Sequence, residues 1–553
     1  MSRKIDALLE DDGQFEDHAK RPGEPAANNK ALAVEVDAVS EPLGFNLDDF
    51  AGLGFTYRGK EIADLDRVEQ QIDSGRAHSI SGNNTITFTF LKEGQDLISI
   101  YNNPNYGFSA GNGVAAFTEA QKAYARESIG LWDDLIAPEF REQNGRGADI
   151  QFANSRDPAQ AYAYYPNEKG GYKYLGDVFV ADAKSEYDGT FFVTPTGGIG
   201  YDGDIEGLIY EGNFTNADLS FGGYGATTIT HELGHAIGLS HPGAYNFGPG
   251  FSVNYANGAE YAQDSEQYSI MSYWDASETG ARIVDWGTFF FSNPQTPLLH
   301  DIYVAQQKYG ADPTTRTGDT TYGFNSNAGR EVFDFTSNEH PYLSIYDAGG
   351  IDTLDFSGFE ASVVINLNAG GFSSAGQGNI TSEDTAIGRE ARNDAIEYTY
   401  GIENFYSPVA QGTIDAVMGS YMTGNAARNN ADWGHTGART TQYDNISIAY
   451  GTTIENAIGT DYRDLIIANE VDNTLTGNGG DDVFIFLHGG DDTITDFESG
   501  SDMIDLSAFG ITDADVSISE GLLEADFNAD GVADLSITFT NGAELAATDV
   551  FYG

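Results

Sequence analysis

The eleven residues that begin at His231 read HELGHAIGLSH and could hold a metal ion. On a helix, His231 and His235 are one turn apart and project from the same face, so their ring nitrogens can bind one metal ion. Glu232 lies beside them and is not needed as a ligand. It can therefore act as general base for a water that the metal activates.

A third histidine and a helix-ending glycine extend this motif. Gly238 lets the chain leave the helix and turn, which brings His241 round as a third ligand, and Pro242 prevents the helix from resuming. A bare HExxH occurs by chance on polar helix faces, whereas five fixed positions arise by accident on the order of 10⁻⁴ times in a chain of this length. Gly234 lies mid-helix at a cost of about 1 kcal/mol relative to alanine. Because local rules tend to be broken at functional sites, the extended motif predicts a zinc centre.

A second motif, SIMSYW, follows about thirty residues later at Ser269 to Trp274. With the histidine motif, it makes the chain resemble the serralysins, a family of metzincin zinc endopeptidases of bacteria. The resemblance implies that Met271 forms an apolar floor under the zinc ligands. It also implies that Tyr273 is a retractable fifth zinc ligand that stabilises the oxyanion. Without the upstream motif, both residues would be interpreted as ordinary core residues.

Composition narrows the classes of partner. With 27 basic and 85 acidic residues the formal charge is −58, which argues against nucleic acids and anionic membranes and favours multivalent cations. The chain has no cysteine, which does not by itself identify a compartment. Its 553 residues predict two or three domains.

The N-terminal residues, MSRKIDALLEDDGQFEDHAK, carry charges where a secretory signal needs an apolar run, and no segment approaches eighteen apolar residues. We therefore expect neither membrane insertion nor a cleaved N-terminal signal. The resemblance implies secretion to the extracellular space by a type I transporter that reads an uncleaved C-terminal signal. The last five residues, from Asp549 to Gly553, approximate such a signal, although a plain closing strand is an alternative.

The chain divides into three predicted regions. Residues 1–60 are acidic and loosely patterned, as in a propeptide or disordered extension, residues 61–310 would form the catalytic domain, and residues 311–553 a calcium-binding domain. Residues 378–444 look like an insertion. The predicted fold is an α+β metzincin catalytic domain followed by an all-β parallel β-roll (RTX) domain. The resemblance covers roughly residues 61–377 and 445–510.

Several elements are predicted within the catalytic region. Helical patterns span Glu61 to Ser74, Glu119 to Leu135 and Leu298 to Tyr309, and an alternating strand spans Asn84 to Leu91. The segment AYAYYP resembles the family's edge strand, which a peptide substrate can extend through backbone hydrogen bonds. The predicted substrate-binding residues are Ala161, Tyr162, Ala163 and Tyr164. An edge strand that binds nothing is the alternative.

A nine-residue repeat follows in the C-terminal region. Asp464, Asn473 and Asp482 are nine residues apart, and each is followed two positions later by an apolar residue. These apolar residues are Ile466, Leu475 and Phe484. This period is typical of a parallel β-roll that binds calcium in its turns and fills its interior with apolar side chains. Because Tyr462, Arg463 and Val471 replace turn residues, a degraded repeat that keeps only its shape is an alternative.

Other stretches match calcium-binding positions of the serralysin scaffold. The candidate calcium ligands are Arg316, Gly318, Thr320, Asp347, Gly349, Gly350, Asp352, Thr453, Glu455, Thr460, Tyr462, Asp464, Gly477, Gly479 and Asp482. Near the end, DFNADGVAD at Asp526 to Asp534 alternates oxygen ligands as a calcium loop does, but it lacks the distal glutamate. An acidic turn between strands explains it equally well.

We interpret the chain as a secreted zinc-dependent endopeptidase zymogen, stabilised by several calcium ions and acting on protein or peptide substrates. The resemblance further implies a proteinaceous inhibitor as a partner and a monomeric state. One alternative is a non-enzymatic calcium-dependent adhesin or surface-layer protein that keeps a zincin scaffold. A polysaccharide-active enzyme would leave the zinc motif unexplained. Glu232 favours the enzyme, because a scaffold would need the histidines but not the base.

Overall fold

The computed structural model describes residues 34–36, 46–80, 84–92, 114–145, 147–155, 161–166, 176–181, 183, 191–193, 199–201, 214–245 and 253–552. Within these ranges the α-helices are α1 (Leu65–Ile72), α2 (Glu119–Asp133), α3 (Tyr224–Ala236), α4 (Tyr255–Gly258), α5 (Leu299–Tyr309), α6 (Ser382–Tyr400) and α7 (Gln411–Trp433). Short 3₁₀ helices lie at Leu47–Phe50, Phe214–Ala217, Ala276–Glu278, Glu331–Phe333, Ser507–Phe509, Asp513–Asp515 and Ala547–Asp549. None of the helices in this part of the chain is both long enough and apolar enough to cross a bilayer.

The N-terminal half carries eleven of the described strands. They are β1 (Val34–Val36), β2 (Phe55–Tyr57), β3 (Lys60–Glu61), β4 (Thr85–Phe90), β5 (Val114–Ala115), β6 (Glu139–Glu142), β7 (Ile150–Ser155), β8 (Ala161–Ala163), β9 (Val178–Ala181), β10 (Phe191–Val193) and β11 (Ile199–Tyr201). The main sheet has the order β6-β4-β7-β9-β8, and β5 also pairs with β7. Strand β8 is antiparallel to β9 and lies at the edge of the sheet.

The predicted elements of this half are found with shifted ends. Helix α1 begins four residues later than expected, because the Asp64 side chain accepts from Arg67 N and caps the helix there. Helix α2 begins at a capping box formed by Thr118 and Gln121. Its Trp132 is fully buried and donates from Nε1 to Thr230 O at 3.2 Å, which ties α2 to α3. Sheet, α2 and α3 share one hydrophobic core.

The C-terminal half is a coil of short, mostly parallel strands. They are β12 (Thr321–Gly323), β13 (Leu343–Ile345), β14 (Thr353–Asp355), β15 (Val364–Asn366), β16 (Phe372–Ser373), β17 (Ile446–Ile448), β18 (Asn456–Ile458), β19 (Leu465–Ile467), β20 (Thr474–Thr476), β21 (Val483–Ile485), β22 (Gly490–Ile494), β23 (Met503–Asp505), β24 (Val516–Ser519), β25 (Leu522–Ala525), β26 (Leu535–Phe539) and β27 (Val550–Phe551). Two stacks run through it, one ordered β12-β14-β18-β20-β22-β26-β25-β24 and the other β15-β19-β21-β23-β27. A third group is ordered β13-β17-β16.

The nine-residue repeat follows from this coil. Strands β18 to β21 begin nine residues apart and alternate between the two stacks. Ile466, Leu475 and Phe484 are fully buried in one core cluster between the stacks. The predicted parallel β-roll and its inward-facing apolar positions are confirmed.

The predicted insertion contains a helical hairpin, α6 and α7, that leaves the roll and packs on the N-terminal half. Arg392 on α6 forms ion pairs with Asp218 at 3.2 Å and Asp285 at 2.5 Å. Met418 on α7 packs in a cluster with Trp286. The hairpin therefore joins the roll to the segments that flank α3 in the sequence.

Residues 46–60, which the sequence assigned to an extension, are part of the folded body. The Asp48 carboxylate accepts from His300 Nε2 at 2.9 Å and from Gln263 Nε2 at 2.6 Å, and also from the Tyr450 hydroxyl. Asn46 donates from Nδ2 to Gly370 O at 2.7 Å. This segment thus touches both halves of the molecule. Apart from β1, residues 1–45 lie outside the described ranges, so the propeptide assignment stays a prediction.

Val550–Phe551 form the last described strand. Strand β27 pairs in parallel with β23, and the Asp549 carboxylate accepts from Ser499 Oγ at 2.6 Å. The loop Asp526 to Asp534 is an acidic turn between β25 and β26, and its carboxylates accept local backbone N–H groups, as Asp534 does from Phe527 N.

Candidate metal centre

Helix α3 positions two of the three histidines, and backbone carbonyls orient all three rings. His231 donates from Nδ1 to Ile270 O at 2.7 Å and His235 from Nδ1 to Leu239 O at 2.7 Å. His241 donates from Nδ1 to the carbonyl of residue 245 at 3.2 Å. A carbonyl oxygen only accepts, so each Nδ1 carries the proton and each Nε2 keeps its lone pair for a metal.

The three Nε2 atoms converge. His241 Nε2 lies 3.2 Å from His231 Nε2 and 3.0 Å from His235 Nε2, and the ligand atoms of all three lie within 4.8 Å of one another. Ligand nitrogens at about 2.0–2.1 Å from a tetrahedral zinc are roughly 3.3 Å apart, which these separations approach. Three neutral acceptors directed at one point repel each other unless a cation lies between them. The donor set therefore fits zinc.

The turn after α3 depends on glycine for two reasons. Gly238 has φ +98°, and a Cβ there would lie 2.1 Å from Arg76 O. Any other residue would be strained and would also collide with backbone. This turn carries the chain from His235 to His241, so it places the third candidate ligand.

Glu232 lies on α3 beside His231 and is buried, with 6% of its surface exposed. Burial shields it from bulk water, and its position in the sequence keeps it within the histidine cluster. This surrounding is compatible with a group that handles one proton at the metal.

The SIMSYW turn lies under and beside the histidines. Met271 is fully buried. A Cβ on Gly234 would lie 2.5 Å from the Met271 Sδ, so this sulfur packs directly against α3 at Gly234. The Tyr273 ring centroid lies 4.3 Å from that of His241 and stacks on His231 at 6.0 Å. The turn therefore brings both predicted residues to the histidine cluster.

Three supporting residues were missed from the sequence. The Tyr245 ring stacks on His241 at 5.7 Å, and its hydroxyl donates to Asp264 Oδ1 at 2.7 Å. Asp301 accepts from Ser269 Oγ and Ile270 N, each at 2.6 Å, and so holds the entry of the turn. Spacing gives no signal for these residues, because their partners are distant in sequence.

The two buried aspartates have raised pKa values. Burial raises the pKa of Asp264 to about 7, although hydrogen bonds from Tyr245 and Ser272 oppose the shift. Burial likewise raises the pKa of Asp301 to about 6 against the hydrogen bond from Ser269. Several donors are directed at each carboxyl, which indicates that each is held firmly in place.

The predicted substrate-binding strand lies at the sheet edge. Pairing with β9 extends beyond β8, because Tyr164 N donates to Asp177 O at 3.0 Å and Gly176 N donates to Tyr164 O at 2.9 Å. The Tyr162 ring stacks on Phe179 at 5.1 Å. The next tyrosine, Tyr165, lies edge-on to His235 with centroids 5.7 Å apart. The strand therefore runs past the histidine cluster, and peptide binding to it stays a prediction.

Part of the first candidate calcium set converges. A Cβ on Gly350 would lie 2.6 Å from both Asp352 Oδ1 and Gly318 O, and Thr320 N donates to Asp352 Oδ1 at 2.7 Å. Asp352 Oδ2 is buried and has no hydrogen-bond partner in the described part of the chain. Burial, with the nearby charges of Asp347 and Glu455, raises the pKa of Asp352 to about 7. A buried carboxylate oxygen without a donor fits a cation ligand.

Other members of this set are placed differently. Gly349 N donates to Asp347 Oδ1 at 2.8 Å, so that loop is closed by its own backbone. Thr453 is exposed in the turn before β18. The Arg316 side chain pairs with Asp134 at 2.6 Å, across the two halves of the molecule. Only its carbonyl would be left for calcium.

The repeat turns stack on each other in the roll. Asp464 N donates to Asp482 Oδ1 at 2.9 Å, and Thr460 Oγ1 donates to Asp464 Oδ1 at 3.0 Å. A Cβ on Gly480 would lie 2.4 Å from Tyr462 O, and Gly477 and Gly479 belong to the same turn. Arg463 donates from Nη1 to Asp481 O at 2.6 Å, which places a cation between the two turns.

The sequence is similar to a known protein family and to several characterised proteins. The family described as peptidase M10 serralysin C terminal matches residues 311–391 and 430–546. Metallopeptidase AprA of Pseudomonas marginalis is 32% identical over 577 residues, which cover 94% of this chain and 98% of that protein. The chain belongs to the serralysin family. Serralysin of Proteus mirabilis is 35% identical over 65% of the chain, and this match covers 56% of that protein. Serralysin B of Dickeya chrysanthemi is 35% identical over 60% of the chain, and this match covers 62% of that protein.

The family assignment confirms the predicted fold and makes this serralysin a zinc metalloendopeptidase. The alternative of a non-enzymatic adhesin is not favoured. The family match skips residues 392–429, which hold the end of α6 and most of α7. The first half of α6 lies within the matched residues, so the insertion at residues 378–444 stays a prediction.

Proposed function

We propose that His231, His235 and His241 hold one catalytic zinc ion and that Glu232 is the general base of peptide hydrolysis. The observation that carries the proposal is the convergence of three Nε2 atoms whose Nδ1 protons are fixed by backbone carbonyls. When bound, zinc supplies Lewis acidity, which polarises a carbonyl and lowers the pKa of water.

The protein's own residues then carry the protons and orient the substrate. Glu232 takes the proton of the attacking water at a carboxylate oxygen and delivers it to the leaving amine. The Tyr273 hydroxyl donates to the oxyanion that forms on the carbonyl oxygen. Residues Ala161 to Tyr164 add the peptide as a further strand, so recognition uses backbone groups and tolerates many sequences.

Glu232→Gln tests the assignment of the base. The variant keeps the ligand set and removes the base, so it should bind one equivalent of zinc and lose about 10²- to 10⁴-fold of casein hydrolysis. Glu390→Gln, on the exposed face of α6, is the matched control and should keep full activity. Zinc-loaded Glu232→Gln with the native rate would contradict the proposed mechanism.

We also propose that calcium binds the roll at the Asp352 cluster and at the stacked turns around Asp464 and Asp482. The proposal is supported by the unpartnered Asp352 Oδ2 and by the raised pKa values of these carboxyls. Arg463 binds Asp481 O between these two turns, and a guanidinium repels a cation there, so we expect calcium to bind the stacked turns more weakly than the Asp352 cluster.

Calcium titration of the full chain in the Glu232→Gln background tests this second proposal. Calcium bound only by the folded state stabilises it by mass action, so the melting temperature should rise with free calcium at fixed ionic strength. An unchanged melting temperature between excess chelator and millimolar calcium would show that the turns are not calcium sites.

The remaining assignments rest on the family and the charge. We propose that the protein acts outside the cell on protein or peptide substrates, leaves through a type I transporter, and meets a proteinaceous inhibitor. The formal charge of −58 supports this environment, because extracellular calcium would relieve the self-repulsion that opposes folding. Fractionation of the producing cells, with the protein found in the medium and not in the cell pellet, tests the compartment.

A further inference from the structure

A buried carboxylate behind the SIMSYW turn binds three side chains around Tyr273. Asp264 is fully buried, and its Oδ1 accepts from Tyr245 Oη at 2.7 Å and from Ser272 Oγ at 2.8 Å. Its Oδ2 accepts from Trp274 Nε1 at 3.2 Å.

All three donors adjoin Tyr273, two as its neighbours in the chain and one through a ring contact. Ser272 and Trp274 are its two neighbours in the chain, so one carboxylate binds the side chain on each side of it. The Tyr245 ring packs on Tyr273 with centroids 5.2 Å apart and on Trp274 at 4.9 Å. Tyr273 is partly exposed, while its two neighbours are buried.

The same carboxylate also reaches a zinc-ligand histidine. Tyr245 donates its hydroxyl to Asp264, stacks its ring on His241, and accepts the His241 Nδ1 proton at its carbonyl oxygen at 3.2 Å. A displacement of Tyr245 would therefore move both the third histidine and the surface on which Tyr273 rests. Asp301, at the other end of the turn, has no hydrogen bond to Ser272, Tyr245 or Trp274 among those found in the described residues.

We propose that Asp264 is a positioning residue for the peptidase reaction, which holds the Tyr273 hydroxyl where the oxyanion forms. The inference rests on the proposed role of Tyr273 and deepens it. Asp264 does not touch substrate or metal. It acts through Ser272, Trp274 and Tyr245, and its effect on the rate should exist only while Tyr273 has its hydroxyl.

The geometry gives the expected size of the effect. A single oxyanion donor contributes about 10²-fold or somewhat more to turnover, and a misplacement of about 1 Å can lose 10²-fold. Asp264→Asn keeps the shape and two acceptor lone pairs but turns an N–H toward the Trp274 N–H, so at least one anchor is lost. We expect kcat to fall by about 10-fold or more, with KM within about 2-fold, because peptide binding along the edge strand is not changed.

A double-mutant cycle with Tyr273→Phe tests the proposal on the full-length, zinc-loaded and calcium-saturated protein. Tyr273→Phe alone should lower kcat by about 10²-fold. In that background Asp264→Asn should lower kcat by less than about 3-fold further, because the hydroxyl that it positions is already gone. If Asp264→Asn lowers kcat by the same factor in both backgrounds, Asp264 acts by general destabilisation and the inference is wrong.

The cycle separates the inference from the function on which it rests. An unchanged kcat in Tyr273→Phe would contradict the oxyanion role of Tyr273 and, with it, this inference. The zinc and Glu232 assignments would be unaffected, because the Glu232→Gln variant tests them separately. A loss in Tyr273→Phe together with additive behaviour would overturn only the role of Asp264. Zinc content is measured for each variant, and a loss of zinc in Asp264→Asn alone would also overturn a role through Tyr273.

A second substitution and a control protect the test against misfolding. Tyr245→Phe keeps the ring that stacks on His241 and removes only the hydroxyl bound to Asp264. It should give a smaller loss with the same non-additivity, and it carries the cycle if Asp264→Asn does not fold. Asp312→Asn is the matched control, because Asp312 is also buried and accepts from Thr314 and Thr315 outside the metal centre. Non-additivity of the Asp312 change with Tyr273→Phe would contradict the inference.

Discussion

Gly234→Ala should destabilise the protein, although alanine is the better helix former. Gly234 lies inside α3, where alanine would by itself gain about 1 kcal/mol. A Cβ at this position would lie 2.5 Å from Met271 Sδ and 3.3 Å from Trp132 Cζ2. Both neighbours are fully buried, so neither can move into solvent.

The magnitude follows from these two opposing effects. Restoring normal contact requires the sulfur to move by about 1 Å in a close-packed interior, and such overpacking costs about 1–3 kcal/mol. After the helix-propensity gain is subtracted, the free energy of unfolding should fall by about 1 kcal/mol. Activity should fall as well, because Met271 and Tyr273 belong to one turn.

Urea unfolding in the Glu232→Gln background, which avoids self-digestion, measures the change. Gly419→Ala on α7 is the matched control, since nothing lies within 4 Å of a Cβ there and the helix should gain about 1 kcal/mol. In a Met271→Ala background the sulfur is absent, so Gly234→Ala should stabilise the protein relative to Met271→Ala alone, by the helix-propensity gain. If Gly234→Ala stabilises the protein while Met271 is present, the reasoning is wrong.

Two further predictions concern charge. With calcium removed, the free energy of unfolding should fall as pH rises from about 5 to 9. Burial and neighbouring carboxylates raise the pKa of Asp482 to about 9, whereas the unfolded chain gives up that proton at lower pH. A urea midpoint that rises with pH would contradict this prediction, and added calcium should make the free energy depend less on pH. Arg392→Met should lower the free energy of unfolding by about 3–5 kcal/mol, because it leaves the buried Asp218 and Asp285 carboxylates without their arginine ion pair. The exposed Arg439→Met is the control, and equal effects of the two substitutions would show that the ion pairs contribute little.

The metal centre was predictable because its main determinants are local. The spacing of His231 and His235 matches helix periodicity, and Gly238 predicts the turn that places His241. The nine-residue repeat was predictable for the same reason, since each turn of the roll repeats one short pattern. Calcium occupancy does not follow from the pattern, because a side chain such as Arg463 can fill the space between two turns.

The supporting layer could not be read from spacing. Tyr245, Asp264 and Trp274 meet only because the chain folds back after the histidine motif, and a polar residue gives no sign of which distant partner it will bind. The fold of residues 46–60 was hidden in the same way. Asp48 looks like one acidic residue in an acidic segment, but its carboxylate is bound by His300 and Gln263.

The helical hairpin, in contrast, carried local signals that composition obscured. Thr381 and Asp384 form a capping box at the start of α6, and Gly401 and Gly434 end the two helices with positive φ. These residues mark helix ends in the sequence. The segment was interpreted only as an insertion because its apolar residues are few and its buried face is partly polar.

The position of the hairpin links the roll to the catalytic half. Arg392 lies on α6 of the hairpin and forms an ion pair with the Asp218 carboxylate. The backbone carbonyl of Asp218 accepts from Ala226 N near the start of α3. Arg392 also donates to Phe221 O at 2.9 Å, in the segment that leads into the same helix. Helix α3 has no side-chain cap of its own at Gly223, so the contacts around Asp218 restrain the end that α3 leaves uncapped. Because that helix carries His231 and His235, the hairpin and the helix that holds two of the proposed metal ligands share one ion-pair network.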